Sequence, residues 1–108
     1  MIRIDTAKQH LRVDGSDEDG LIQLYVEAAT QAACDYLGRK VYAYQDALDA
    51  DPDAGEHAMV ITPSICAAVL LILGDLYANR ERHTGSITVV VLDRAQALLR
   101  PHRIVQGP

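Results

Sequence analysis

The apolar positions of the chain recur at helical spacing in several stretches, most of them framed by residues that start or stop a helix. Residues 3–13 (RIDTAKQHLRV) predict a short first helix capped by Asp5 or Thr6, with a turn at Asp14-Gly15. Ser16 then opens a second element. With Asp19 three residues on, Ser16 resembles a weakened capping box, and Asp17, Glu18 and Asp19 place negative charge where a helix amino terminus favours it. From Asp17 to Leu37 one stripe holds Leu21, Tyr25, Ala28, Ala29, Ala32 and Tyr36, joined by Ile22, Val26, Ala33 and Leu37. Gln23, Glu27, Thr30, Gln31 and Asp35 face away. This is the pattern of a long amphipathic helix, stopped by Gly38, with Arg39 and Lys40 near the negative end of its dipole.

Residues 41–57 (VYAYQDALDADPDAGEH) predict a strand-like or irregular start followed by an acidic loop. Thr62 and Pro63 then give a strong start signal, an N-cap followed by proline at the first helical position. The helix they open is expected from Pro63 to Arg82. Its residues Ile65 to Leu73 are nine consecutive apolar positions, too few to span a bilayer but enough to make the helix apolar on every side. Such a helix must be covered all round, centrally in its own domain or by neighbouring subunits. His83 to Ser86 reads as a turn, and Ile87 to Leu92 (ITVVVL) as a short strand or extended arm because it is rich in β-branched residues. A last helix from Leu92 or Asp93 to Leu99 ends before Pro101. The expected fold class is therefore mainly α: one domain over residues 1–108, a small bundle of three to four helices with a short β element or extended arm.

Composition narrows the picture. The 108 residues include no Trp, no Phe and five Tyr, so the core is built from Ala, Val, Leu and Ile, which pack helices closely but suit a ligand pocket poorly. The net charge of −5 is unevenly placed: residues 1–57 carry twelve acids and five bases, residues 58–108 three acids and five bases. An acidic front and a weakly basic tail suit head-to-tail contact between identical subunits and argue against a duplex-binding face. Residues Met1 to Asp5 contain no charged stretch leading into an apolar core, so no export signal is expected.

Candidate chemistry is sparse. Cys34 and Cys66 form no CxxC or Cys/His cluster and read as small buried apolar residues. Asp49 to Gly55 (DADPDAG) superficially matches a calcium loop, but Ala54 and Val60 stand where such a loop needs Gly and a bidentate Glu. Asp14 to Gly20 fails the same comparison with Asp19 and Tyr25. His10, His57, His83 and His102 are scattered and read as surface histidines. No nucleophile elbow, phosphate loop or dinucleotide fingerprint occurs, so neither an enzyme nor a cofactor is expected. Two stretches set arginines beside apolar residues, Asp75 to Arg82 (DLYANRER) and Leu98 to Arg103 (LLRPHR).

These stretches, in their order, resemble the head-tail connector family of long-tailed bacteriophages, also called head-completion or adaptor proteins. The resemblance covers nearly the whole chain: LRVDGSDEDGLIQLYVEAATQAACDYLGR at the front, ICAAVLLILGDLYANRE in the second helix, and Leu98, Leu99, Pro101, His102 and Arg103 at the close. His102 departs from the usual aromatic, and Leu76 stands where a Trp often precedes the Tyr.

The resemblance implies a non-enzymatic subunit of a closed ring, dodecameric when docked on the portal protein. That ring would offer a platform to the next neck or tail-completion protein and pass DNA through its channel without reading its sequence. It implies a place in the virion neck, after synthesis in the host cytoplasm, with no cofactor, metal or membrane. The expected subunit interface is Leu70, Leu73, Tyr77, Arg80 and Glu81, and the expected portal-docking group is Arg94, Leu98, Leu99, Arg100 and Arg103. Two other readings of the residues stand beside it: a small helical DNA-binding regulator, which would need a polar or basic recognition helix that neither long helix provides, and a helical adaptor, which would form dimers or heteromers.

Overall fold

A computed structural model describes residues 2–79 and 89–104. Among them the chain forms α1 (Ile4–Leu11), α2 (Asp19–Leu37), β1 (Val41–Tyr42), α3 (Gln45–Ala50), β2 (Met59–Val60), α4 (Pro63–Ala78) and α5 (Val89–Leu99), followed by a 3₁₀ turn at Arg100–His102. The fold is mainly helical, as the sequence predicts. Arg82, the turn at His83 to Ser86 and the start of the ITVVVL stretch lie outside the described residues.

The helix ends follow the sequence in part. Thr62 caps α4, its hydroxyl accepting the Ile65 amide at 3.3 Å with Pro63 in the first turn. Gly38 stops α2 in the left-handed conformation at φ 69°. The expected caps of the first two helices are corrected: Arg3 precedes α1, Glu18 precedes α2, and neither offers a side-chain cap. Ser16 contributes only its carbonyl, to the Asp19 amide. Asp19 is drawn instead to α1, where its Oδ1 lies 2.8 Å from Lys8 Nζ. The acidic turn thus ties two helices together.

The core is a continuous cluster. From α2 it takes Ile22, Val26, Ala29, Ala33 and Leu37; from α4 Ile65, Ala68, Val69, Ile72, Leu73 and Leu76; from α5 and α1 Ala95, Leu99 and Ala7. Each fully buried Leu, Ile or Val side chain contributes roughly 1.5–3 kcal/mol by leaving water. The expected stripe on α2 is rotated: Ala28 is exposed, and Leu21, Tyr25, Ala32 and Tyr36 are half-buried. Apolar residues cover so much of this helix that periodicity alone does not fix its inward direction, and Leu24 is left 58% exposed.

α4 packs against α1, α2 and α5, while α2 and α5 meet each other much less. A helix apolar all round therefore occupies the middle, as expected. Close approach to α1 uses Gly74, where a Cβ would come within 3.3 Å of His10 Nε2. The expected extended arm is corrected, since Val89 to Leu92 form the first turn of α5. Each valine costs only about 0.5 kcal/mol relative to alanine in a helix, less than α5 recovers by burying Ala95 and Leu99.

The acidic middle holds more structure than the loop expected there. β1 and β2 pair in parallel, Val41 with Met59 and Tyr42 with Val60, through Met59 N–H to Lys40 C=O at 2.9 Å and Ile61 N–H to Tyr42 C=O at 2.8 Å. A parallel pair needs a crossover, and α3 with its following turn supplies it.

Candidate assembly surfaces

The end of α4 carries the first expected surface. Leu73 is fully buried within the chain's own core, whereas Leu70 is half-buried. Tyr77 donates its hydroxyl to Glu18 Oε1 at 2.7 Å, joining the end of α4 to the start of α2. Asn79 turns back on the helix, its side-chain amide donating to the carbonyl and to Oδ1 of buried Asp75, both at 3.0 Å. Arg80 and Glu81 lie outside the described residues. The sequence singled out Tyr77 but missed its partner, because Glu18 reads there only as helix-start charge.

The second expected surface is divided. Leu99 is 1% exposed and belongs to the core, and Leu98 is half-buried against it. Arg94 and Arg100 are exposed, with no ion pair among the described residues. Arg103 is exposed but engaged: its Nε donates to Tyr36 C=O at 3.0 Å, and its guanidinium lies 4.7 Å from the centre of the Tyr36 ring. The next amide, Ile104 N–H, donates to Leu37 C=O at 2.9 Å. These two bonds satisfy carbonyls that the end of α2 leaves open.

Arg39 completes this latch. Its Nε donates to His57 C=O at 2.6 Å and its Nη1 to His102 C=O at 3.2 Å, so one guanidinium holds the acidic lobe and the carboxyl-terminal segment together. In the sequence Arg39 reads only as a cation near the end of a helix; nothing in its spacing marks two backbone carbonyls far along the chain.

The lobe between β1 and β2 exposes Asp46, Asp49, Asp53 and Glu56, and its one large exposed aromatic is Tyr44 at 71%. Lys40 Nζ donates to Asp53 C=O at 2.7 Å. The Tyr42 hydroxyl donates to Asp51, which raises the phenol above its ordinary pKa and lowers the Asp51 carboxyl below its own, with the Asp53 amide adding to the latter. Cys34 is half-buried; desolvation pushes its thiol up, Asp35 adds to that, and a backbone hydrogen bond with Val41 opposes it. A neutral thiol is a poor nucleophile. Among the described residues no group of three His, Cys, Asp or Glu side chains is placed to hold a metal, and no helix is long and apolar enough to cross a membrane.

What the chain offers is surfaces: an outward face of α2, an outward face of α5, an acidic lobe and a latched carboxyl-terminal segment. The fold is similar to that in the crystal structure of bacteriophage HK97 gp6, with a TM-score of 0.66 and 22% sequence identity over 95% of this chain and 93% of that one. No curated protein matches the chain. Residues 1–103 match the family described as phage gp6-like head-tail connector protein, and the chain belongs to that family.

Proposed function

We propose that the chain works as one subunit of a closed ring seated between the portal protein and the tail, with a central channel through which DNA passes. The family makes it a structural, non-enzymatic component of the head-tail connector in a phage virion. The observation that carries the reading is the family match over residues 1–103 together with a gp6-like fold across nearly all of the chain.

Ring closure needs a heterologous contact, one patch of each subunit meeting a different patch of the next. Leu70 and Tyr77 on α4 offer one such patch, Leu73 supports it from the core, and Arg80 and Glu81, which follow in the chain, are proposed to take part in the same contact. The portal is met by the carboxyl-terminal end: exposed Arg100, half-buried Leu98, and Arg103 with the residues after it. Leu99 and the latch on Tyr36 and Leu37 hold that end in place. The same ring presents its other side to the next neck or tail protein. Its acidic lobe suits a passage for moving DNA, because concentrated basic contacts would bind phosphate and hold the strand. One domain performs all of this.

The Arg100→Glu variant tests the portal contact. Cosedimentation with assembled portal protein should fall about tenfold in affinity, since like charges replace a complementary pair. Unchanged binding would remove Arg100 from the docking surface.

A further inference from the structure

The outward faces of α2 and α5 are two continuous stripes of unlike charge. On α2 the exposed positions Gly20, Leu24, Glu27 and Ala28 lie on one side of the helix, Leu24 at 58% exposure. No basic residue interrupts them. On α5 and the turn after it the exposed positions are Asp93, Arg94, Ala97, Arg100 and Pro101, one acid against two bases. Neither Glu27 nor Arg94 has an ion pair among the described residues. α4 packs against both helices, and both stripes stay exposed within one chain.

We infer that the outward stripe of α2 on one copy docks antiparallel against the outward stripe of α5 on the next copy, with Glu27 facing Arg94 and Leu24 facing Ala97. Spacing supports this register. Leu24 and Glu27 are three residues apart on α2, as are Arg94 and Ala97 on α5, a rise of about 4.5 Å in each case. Antiparallel helices with equal rise bring both pairs level together. The same register sets small Gly20 opposite Pro101 and Ala28 opposite Asp93, so the acid on α5 meets no second acid. A parallel arrangement with Glu27 level with Arg94 sets Leu24 beyond Asp93, against position 91, and sets Ala97 against position 30. Beside the α2 stripe lies a shallow groove of about 330 Å³ with a mixed lining, Ile2 and Val26 beside Gln23, Glu27, Thr30 and Gln31.

The pairing explains how one subunit supplies both halves of a head-to-tail contact. It rests on the closed-ring reading and assigns Arg94 to the neighbour, leaving Arg100 and the segment beyond it to the portal.

The experiment uses the full chain with Cys34→Ser and Cys66→Ala as background, carrying either Leu24→Cys or Ala97→Cys, and light scattering on the same samples reads assembly independently. Under mild oxidation the mixture of the two variants should give a covalent dimer that neither gives alone, and the double variant should give a ladder. A large discrete assembly with no covalent product in the mixture would overturn the α2–α5 contact while leaving the ring in place. Self-linking of the Leu24→Cys variant would also overturn it, in favour of a symmetric α2-to-α2 contact. A chain that neither assembles nor cross-links, alone or with assembled portal protein, would overturn both. A charge swap guards against variants that fail to fold: Glu27→Arg should weaken assembly about tenfold, and adding Arg94→Glu should restore it. No restoration in a double variant with a normal circular dichroism melt would count against the pairing.

Discussion

The helical interior and the acidic lobe are held by different forces. α2, α4 and α5 interlock through fully buried Ile, Leu, Val and Ala side chains, and α4 is covered by its neighbours along most of its length. The lobe from β1 to β2 buries only Val41; it is attached by the ladder bonds of the parallel pair, by Lys40 on Asp53 and by Arg39 on His57. Packing of the first kind is non-directional and resists small shifts; attachment of the second kind depends on a few directed hydrogen bonds that water can replace. In the ring proposed above, the packed interior would keep the rotation between subunits constant, while the lobe and tail, held by fewer bonds, would be the parts that adjust to a partner.

Leu73→Ala should break the interior most severely. Removing a side chain that is 0% exposed should lower unfolding stability by about 3 kcal/mol in urea titration. Tyr44→Ala, at an exposed site of the lobe, should change it by no more than about 0.5 kcal/mol. A Leu73→Ala cost as small as that of Tyr44→Ala would show that the interior is not packed as described.

Arg39→Ala tests the seam between the two regions. Two hydrogen bonds are lost, on His57 and His102, at a cost of about 1 kcal/mol each or less. The loss should appear locally, as faster hydrogen exchange at the Met59 and Ile104 amides, with little movement of the global midpoint. A large global shift would mean that lobe and interior unfold as one.

The smallest effect should be a pH dependence confined to the lobe. The Asp51 carboxyl is held below its ordinary pKa by the Tyr42 hydroxyl, so its contribution is complete above the ordinary carboxylate range and is lost as pH falls through its lowered value. The Tyr42 phenol is raised by the same bond, so its contribution is complete below the ordinary phenol range and is lost as pH rises through its raised value. The bond should therefore hold at neutral pH and fail at both extremes. Tyr42→Phe should remove the alkaline limb in an NMR titration of the lobe amides and move the acid limb to higher pH, the Asp53 amide still holding Asp51 down; an unchanged alkaline limb would assign it to another group.

Much of the interior was legible in the sequence, because its determinants are local. Thr62-Pro63 and Gly38 act on the backbone beside them, and the nine apolar residues of α4 drive it to the centre with only Ala67 among them exposed. The inward direction of α2 was less legible, since Leu21, Tyr25 and Ala28 compete with Ile22, Val26 and Ala29 for the same side. The Val-rich start of α5 was misread as extended because the packing that makes it helical comes from α4. In the lobe, the strand-like start at Val41 was legible, but α3 and the partner strand Met59–Val60 escaped detection, being only six and two residues long. Of the candidate surfaces, sequence singled out Arg103 but not its partner, and it missed what Arg39 holds. The carbonyls of Tyr36, His57 and His102 are backbone groups, and no side-chain pattern marks them.

Closed assembly is the central claim, and light scattering across a range of concentrations, with and without assembled portal protein, tests it most directly. The account predicts one discrete species whose mass is a large whole multiple of the 11.8 kDa chain, formed alone or on the portal and unchanged on further concentration. A strict dimer, or a monomer that stays monomeric when portal is added, would contradict it.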